Sequence, residues 1–464
     1  MNLAEGDDHV PKTLTNTEPQ RKPKIPDSLS IALKNGGPVV WASCLIMGLA
    51  NILNGQLIMG LIYLAVEIGV IVFLAVPNGG LYWISMLPSL GWREQQKVFN
   101  EKTFVYEYVA GDQSQLILLY GIASLCVVVL LVLVWQSSVR SGYRAAALKK
   151  MGEHVPNFKE QLRSLLDENV HMLLMTPPMA CLVIFTILPL LYMMSMAFTN
   201  YSKEGDHLVL FDWVGLKNFE FFFKSQDAGR VIGNTVAYAL TFLAMDNVLA
   251  IGLSLMFYCM KSNVCVKVYN TVMILPRFLS MVIISFIVLA MLNVRSGVIN
   301  QGLVALGLKK VQWYSKPQYW PYILTFVHEW AGVGMGCILY YATLMGVDEG
   351  LFEAAMLDGA TKWQQAKYIT LPMLKTIMVM MFILSVGSIF ASDFGLFYQV
   401  TQGVPNSLNK VASTFDTYVY AALQGNAPIG KTAAVSTFQS VACCITILLA
   451  NFIVSKIDSD SAVF

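Results

Sequence analysis

Long, predominantly apolar stretches recur along this chain, and they constrain its fold more than any other feature. They lie near 57–76, 114–136, 170–198, 232–259, 268–293, 321–346, 374–397 and 432–455. A helix crosses about 30 Å of hydrocarbon in roughly 20 residues. In lipid every backbone N–H and C=O needs an internal partner, so only helices and closed barrels span. These runs do not alternate polar with apolar, so they read as helices rather than barrel strands. Composition agrees. The 464 residues are 56% hydrophobic and 13% charged, with a mean hydropathy of +0.58, whereas soluble domains carry roughly twice that charged fraction. The expected fold is an all-α polytopic membrane protein with about eight transmembrane helices. A net charge of +2 without a basic run gives no reason to expect nucleic acid as a partner.

The stretch 38–55 is apolar but short, and Gly48, Asn51, Asn54 and Gly55 interrupt it. It reads as a re-entrant or interfacial segment, because eight spans then leave both termini on one side. Residues 1–36 are polar and contain prolines; they read as a flexible cytoplasmic tail, not a signal peptide. Residues 37–136 form the first membrane block and 137–169 a cytoplasmic linker. That linker carries Arg140, Arg144, Lys149, Lys150, Lys159 and Arg163, and the tail carries Arg21, Lys22, Lys24 and Lys34. Cytoplasmic loops are enriched in such residues, so both are placed inside. Loops 260–267 and 347–373 then also face the cytoplasm, while 77–113, 199–231, 294–320 and 398–431 face outward. The outer loops hold aromatic residues such as Trp213, Phe219, Trp313 and Trp320, which fit an interfacial belt or a surface for an extracytoplasmic partner.

Several spans carry polar groups that are costly in lipid: Asp246 and Asn247, Arg277, His328 and Glu329, Ser392 and Asp393. Such residues face a bundle interior, a pathway or a partner. The eight cysteines lie mostly in apolar runs, and neither they nor the five histidines form a motif with ligand spacing. No metal site is expected from the sequence. No G-x-S-x-G or H-E-x-x-H motif suggests an enzyme.

One polar insert interrupts the apolar pattern late in the chain: EAAMLDGATKWQQAKYITLP, from Glu353 to Pro372. Glu353 is expected in the first turn of a helix, where a carboxylate favours the positive end of the dipole. Gly359 after Asp358 permits a tight turn, and Thr361 suits the cap of a second helical stretch. Pro372 is expected to open the next span. Helix, turn, helix and span in this order make a docking surface for something soluble.

The runs Glu353-Ala354-Ala355, Asp358-Gly359-Ala360 and Ile369-Thr370-Leu371-Pro372 resemble the EAA loop of bacterial ABC importer permeases. The resemblance implies a type I importer core over residues 170–458, a coupling loop at 346–372, and Glu353 to Ala360 as the part that docks on an ATPase subunit. Two further segments resemble the carbohydrate branch of that family: Asp212-Trp213-Val214-Gly215-Leu216-Lys217-Asn218-Phe219, and Phe394 to Tyr398 followed by Phe415 to Tyr420. Residues 37–136 are extra spans ahead of the core, as in maltose and maltodextrin permeases. The implied partners are a second permease subunit, a cytoplasmic ATPase dimer that uses ATP and Mg, an extracytoplasmic sugar-binding protein, and membrane lipid. The location implied is the bacterial cell membrane.

Sugars bind by aromatic stacking and hydrogen bonding, so Asp246, Asn247, Tyr340, Asp393, Phe397 and Tyr398 are the candidate contacts; helix packing is the competing role for each. The sequence Gly425 to Thr432 satisfies G-x-x-x-x-G-K-T, but it precedes a membrane span and follows no strand pattern. It is read as turn residues, and no cofactor is expected on this chain. An ion-coupled transporter using Asp246 and Asp393, or an ABC permease for another solute, remain the alternatives.

Overall fold

The computed structural model describes residues 28–94, 96–100, 105–109, 111–167, 170–203 and 209–457. The membrane helices are labelled α1 (Leu57–Ala75), α2 (Ser114–Lys150), α3 (Val170–Met196), α4 (Ala228–Tyr258), α5 (Asn263–Ile274), α6 (Met281–Leu292), α7 (Trp320–Leu344), α9 (Lys375–Gly387) and α10 (Ile429–Ile457); α8 (Glu349–Leu357) belongs to the polar insert. Six of them are long and apolar enough to cross a bilayer alone. Two bent pairs supply further crossings, Asn263–Phe278 with α6 and Lys362–Met373 with α9, which gives eight among the described residues when each pair counts once. Among the described residues there is, besides the helices, one antiparallel hairpin, β1 (Gln96–Asn100) with β2 (Val105–Val109), in which Val98 pairs with Glu107.

The chain divides into two compact units, 1–86 with 119–188, and 87–118 with 189–464. In the first unit the stretch 38–55 does not span. It forms two short helices, Gly37–Ala42 and Leu49–Leu53, on either side of Gly48, whose φ is +81°. A broken backbone at this depth needs polar partners, and neighbouring side chains supply them. Ser138 Oγ accepts from Gly48 N at 2.9 Å, and Glu67 Oε2 accepts from Met47 N at 2.8 Å. Asn51 Nδ2 donates to Gln56 Oε1 at 2.8 Å and to Ser141 Oγ at 2.7 Å. These bonds account for the polar residues that interrupt the apolar run.

One expectation, the flexible tail 1–36, needs correction here. The end of the tail is ordered: Leu29–Asn35 is a helix with Ser28 as its N-cap, and Ala32 is buried. Residues 1–27 lie outside the described residues. The linker 137–169 is largely helical, because α2 continues to Lys150 and a second helix covers Phe158–Asp167. At 1.5 Å per residue α2 is about 55 Å long, well beyond the hydrocarbon thickness, so its basic end projects from the membrane.

In the second unit α4 and α7 lie against each other. Glycines let α7 approach its neighbours: a Cβ on Gly336 would fall 3.1 Å from the Ala250 Cβ, and one on Gly334 would fall 2.7 Å from the Met273 carbonyl carbon. The main core joins Tyr238 of α4, Ile284 and Val288 of α6, Trp320 and Leu324 of α7, and Leu396, Phe397 and Val400. The expected span 268–293 is not one helix. It turns by 99° between Phe278 and Met281, because Pro276 lacks an N–H and a 3-10 turn replaces the α-helix there. Ser280 then recaps α6, its Oγ accepting from Ile283 N. The expected span 374–397 likewise ends early, at Gly387, and resumes as a π turn at Gly395–Gln399.

Candidate functional site

The polar insert folds into a defined device. Asp348 caps α8, its Oδ1 accepting from Gly350 N at 2.9 Å. The helix therefore starts earlier than the sequence suggests, and Glu349 occupies the first turn. Glu353 sits in the second turn, so it is an exposed helix-face residue rather than a dipole partner. Gly359, at φ +78°, reverses the chain, and Ala360 N donates back to Ala355 O at 2.9 Å. Thr361 forms a capping box with Gln364. Lys362–Gln365, a π turn at Ala366–Thr370 and Leu371–Met373 follow, and the chain bends by 61° into α9. Pro372 thus stands just before the bend and does not open the span itself.

One side chain fastens α8 to the membrane helices. Phe352 is its only buried residue, and its ring lies 5.3 Å from that of Tyr258 at the end of α4. Next to this contact is a pocket of about 360 Å³ lined by residues that include Tyr258, Tyr341, Glu349, Glu353, Lys362 and Gln365. The end of α4 and the start of α5 thus lie on the same side of the membrane as α8. Three large apolar side chains of the insert are exposed: Leu357 is 90% exposed, Trp363 73% and Tyr368 67%. Glu353, Ala354, Asp358 and Gly359 are exposed beside them, Ala355, Ala360 and Leu371 are half-buried, and Pro372 is exposed.

The candidate solute contacts separate into two groups. On α4 and α7, Asp246 and Asn247 are half-buried. Asn247 Nδ2 donates to Leu243 O, and its Oδ1 accepts from the Tyr340 hydroxyl. On the segment after α9, Asp393 is exposed and its Oδ1 accepts from Leu396 N at 3.0 Å, which caps the π turn. Tyr398 is half-buried, stacked on Phe394 at 4.9 Å and edge-on to Tyr420 at 4.8 Å. Phe397 and Tyr340 are both buried. Phe397 is 1% exposed and packs edge-on against Tyr238 at 4.8 Å, and Tyr340 is 2% exposed. Both are core residues in this conformation.

One cluster was not legible as a motif. Asp246 of α4 meets His328 and Glu329 of α7, with one donor atom of each within 4.8 Å of the others. The sequence shows the signal only as isolated charges in two apolar runs, because their separation along the chain conceals the pairing. Other polar residues are structural. Asp416 Oδ2 accepts from Ser392 N at 2.9 Å and from Ser392 Oγ at 2.5 Å, which closes the break after α9. Asn218 donates to Ala197 O and Thr199 O, and Trp213 Nε1 donates to Leu87 O. The Gly425–Thr432 segment belongs to this clasp. Gly430 packs on Thr199 O, and its N–H donates to Tyr201 O. That N–H is spent, and helix α10 follows without a preceding strand, so the segment is not a phosphate cradle.

Apolar spans, two of them broken, and a capped polar insert between them fit a subunit of a membrane transport system. The family described as the binding-protein-dependent transport system inner membrane component matches residues 247–458. The chain is 31% identical to the protein LplB of Bacillus subtilis over 289 residues, which cover 62% of this chain and 89% of that protein. It is 24% identical over 430 residues to the maltodextrin transport system permease MalC of Streptococcus pneumoniae, covering 89% and 92% of the two chains. A crystal structure of a bacterial alginate ABC transporter, in complex with an alginate pentasaccharide-bound periplasmic protein, superposes with a TM-score of 0.56 at 26% identity. It covers 64% of this chain and 97% of its own. The chain belongs to the binding-protein-dependent transport system inner membrane component family. It is a permease subunit of an ABC importer and a multi-pass protein of the plasma membrane.

Proposed function

We propose that this permease carries oligosaccharides and is driven through α8 by a separate ATPase pair that binds ATP and Mg. The observation that carries the coupling is the exposure of Leu357, Trp363 and Tyr368 on a polar insert whose helix Phe352 fastens to α4. Large apolar side chains exposed on a polar insert suit burial against a protein partner. Closure of that partner on ATP pushes α8. The Phe352–Tyr258 contact passes the push to α4, and the bend at Leu374 passes it to α9. Rigid-body motion of this kind switches a bundle between two access states. A second permease subunit completes the pathway, and an extracytoplasmic binding protein delivers the sugar.

The choice of oligosaccharides draws on the maltodextrin permease and the alginate transporter named above. The Phe394–Tyr398–Tyr420 group gives this chain aromatic faces on which a sugar ring can stack. Basic residues on the projecting end of α2 support a cytoplasmic position for the linker. Reconstitution with the partner subunits tests the reading. ATP hydrolysis stimulated by an oligosaccharide-loaded binding protein is the expected result. Sugar uptake by this chain alone under an ion gradient would overturn it.

A further inference from the structure

Asp246 on α4 and the adjacent His328 and Glu329 on α7 converge inside the membrane, and we propose that they bind one divalent transition-metal ion, with zinc the best fit. His328 Nε2 and Asp246 Oδ2 are 3.4 Å apart, and a donor atom of Glu329 lies within 4.8 Å of both. Donors around a four-coordinate zinc, with bonds near 2.1 Å, stand about 3.4 Å from one another. The histidine and aspartate already meet that spacing. Glu329 closes the rest by a shift of about 1.5 Å or less, within the reach of its flexible side chain.

Glu329 supplies the independent reason for a cation. Glu329 is 6% exposed, and among the described residues no N–H donor reaches Oε1 or Oε2; its close polar neighbours are the Asp246 carboxylate and the His328 ring. A carboxylate taken out of water without a donor is costly, and a bound cation removes that cost. One imidazole with two carboxylates suits a borderline ion such as zinc; calcium and magnesium prefer six or more oxygen ligands. The imidazole is held for the task. Phe242 stacks on His328 with centroids 3.8 Å apart and planes 6° from parallel. Phe242 and Asp246 are four residues apart, so α4 presents the support and a ligand on one face. The His328 and Asp246 side chains keep 25% and 42% exposure. Three protein ligands on one side therefore leave a fourth position for water or for an oxygen of a passing solute. The inference does not depend on which solute the importer carries.

The test is metal binding by the full chain in its assembled complex, stripped with a chelator and dialysed against zinc at equilibrium. One zinc per chain is expected. Glu329→Gln and Asp246→Asn should each weaken binding tenfold or more, as loss of a ligand does, while His171→Gln on α3 should leave it unchanged. His328→Gln should remove the visible absorption band of a cobalt-substituted site. Should Glu329→Gln fail to assemble, the histidine variant carries the same test. A stoichiometry far below one, equal binding by all variants, or displacement of zinc by millimolar magnesium or calcium would overturn the proposal.

Discussion

The Tyr340 hydroxyl on α7 donates to Asn247 Oδ1 on α4 at 2.8 Å, and this bond ties together two helices whose packing organises the second unit. Tyr340 is otherwise walled in by Ala250, Ile251, Leu344 and Leu374. Removing its hydroxyl leaves the Asn247 oxygen without this partner but opens little space. Tyr340→Phe should therefore lower stability by about 0.5–1.5 kcal/mol, the usual worth of one interhelical hydrogen bond. Thermal unfolding in detergent should show a drop of a few degrees, with transport within about twofold of the parent. Transport lost at unchanged stability would instead give the hydroxyl a direct part in handling solute.

Phe352 and Leu357 lie on one helix and should fail differently. Leu357 is 90% exposed, so Leu357→Glu costs the isolated chain almost nothing. Its association with the ATPase subunit should weaken tenfold or more, about 1.4 kcal/mol. Phe352 is 8% exposed and touches Tyr258. Phe352→Ala removes the anchor, at about 3 kcal/mol for a buried aromatic. Hydrogen exchange should then accelerate across α8, and ATP hydrolysis should lose its dependence on solute even where the subunits still assemble. Equal effects of the two substitutions on association would refute this division of labour.

Gly359 separates backbone conformation from side-chain crowding. Its φ is +78°, yet nothing lies within 4 Å of a Cβ built there. Gly359→Ala should cost only the left-handed backbone penalty, about 1–2 kcal/mol, and keep coupled transport. Gly359→Pro demands φ near −65° and cannot hold the turn. It should abolish solute-stimulated ATP hydrolysis, measured in proteoliposomes. Unchanged stimulation in the proline variant would remove the turn from the coupling path.

The positions of the spans were legible because hydrophobicity over about twenty residues is a local signal. Thr361 as a cap and Gly359 as a turn were legible for the same reason, since each acts within three or four residues. The 99° bend at Phe278–Met281 was not, although Pro276 marked its place. A proline can kink a membrane helix or break it, and its neighbours decide which. The role of Phe352 was hidden because its partner, Tyr258, comes from another helix. Phe397 and Tyr340 show a further limit, since their burial was not legible. An aromatic side chain in an apolar run has the same appearance whether it faces a pathway or a core, and only the packing distinguishes them. The Asp246–His328–Glu329 cluster shows both limits: each charge was visible, but their meeting was not.

Asp416 closes the last break in the membrane core, and its removal should show how that break is held. Its Oδ2 takes both the N–H and the hydroxyl of Ser392, and Gln439 Nε2 of α10 approaches both carboxylate oxygens at 3.4 Å. The carboxylate thereby links the chain after α9 to α10 through charge-assisted bonds, which are about twice as strong as neutral ones. Asp416→Asn keeps the shape but puts a donor where acceptors are needed. It should destabilise the protein by about 1.5–3 kcal/mol. Ser392→Ala deletes only the hydroxyl and should cost less. If the two residues work as a unit, the double variant will be less destabilised than the sum of the single ones, by about 1 kcal/mol in a double-mutant cycle. Additive losses would mean that the break is held by the packing of Phe390 and Phe415 instead.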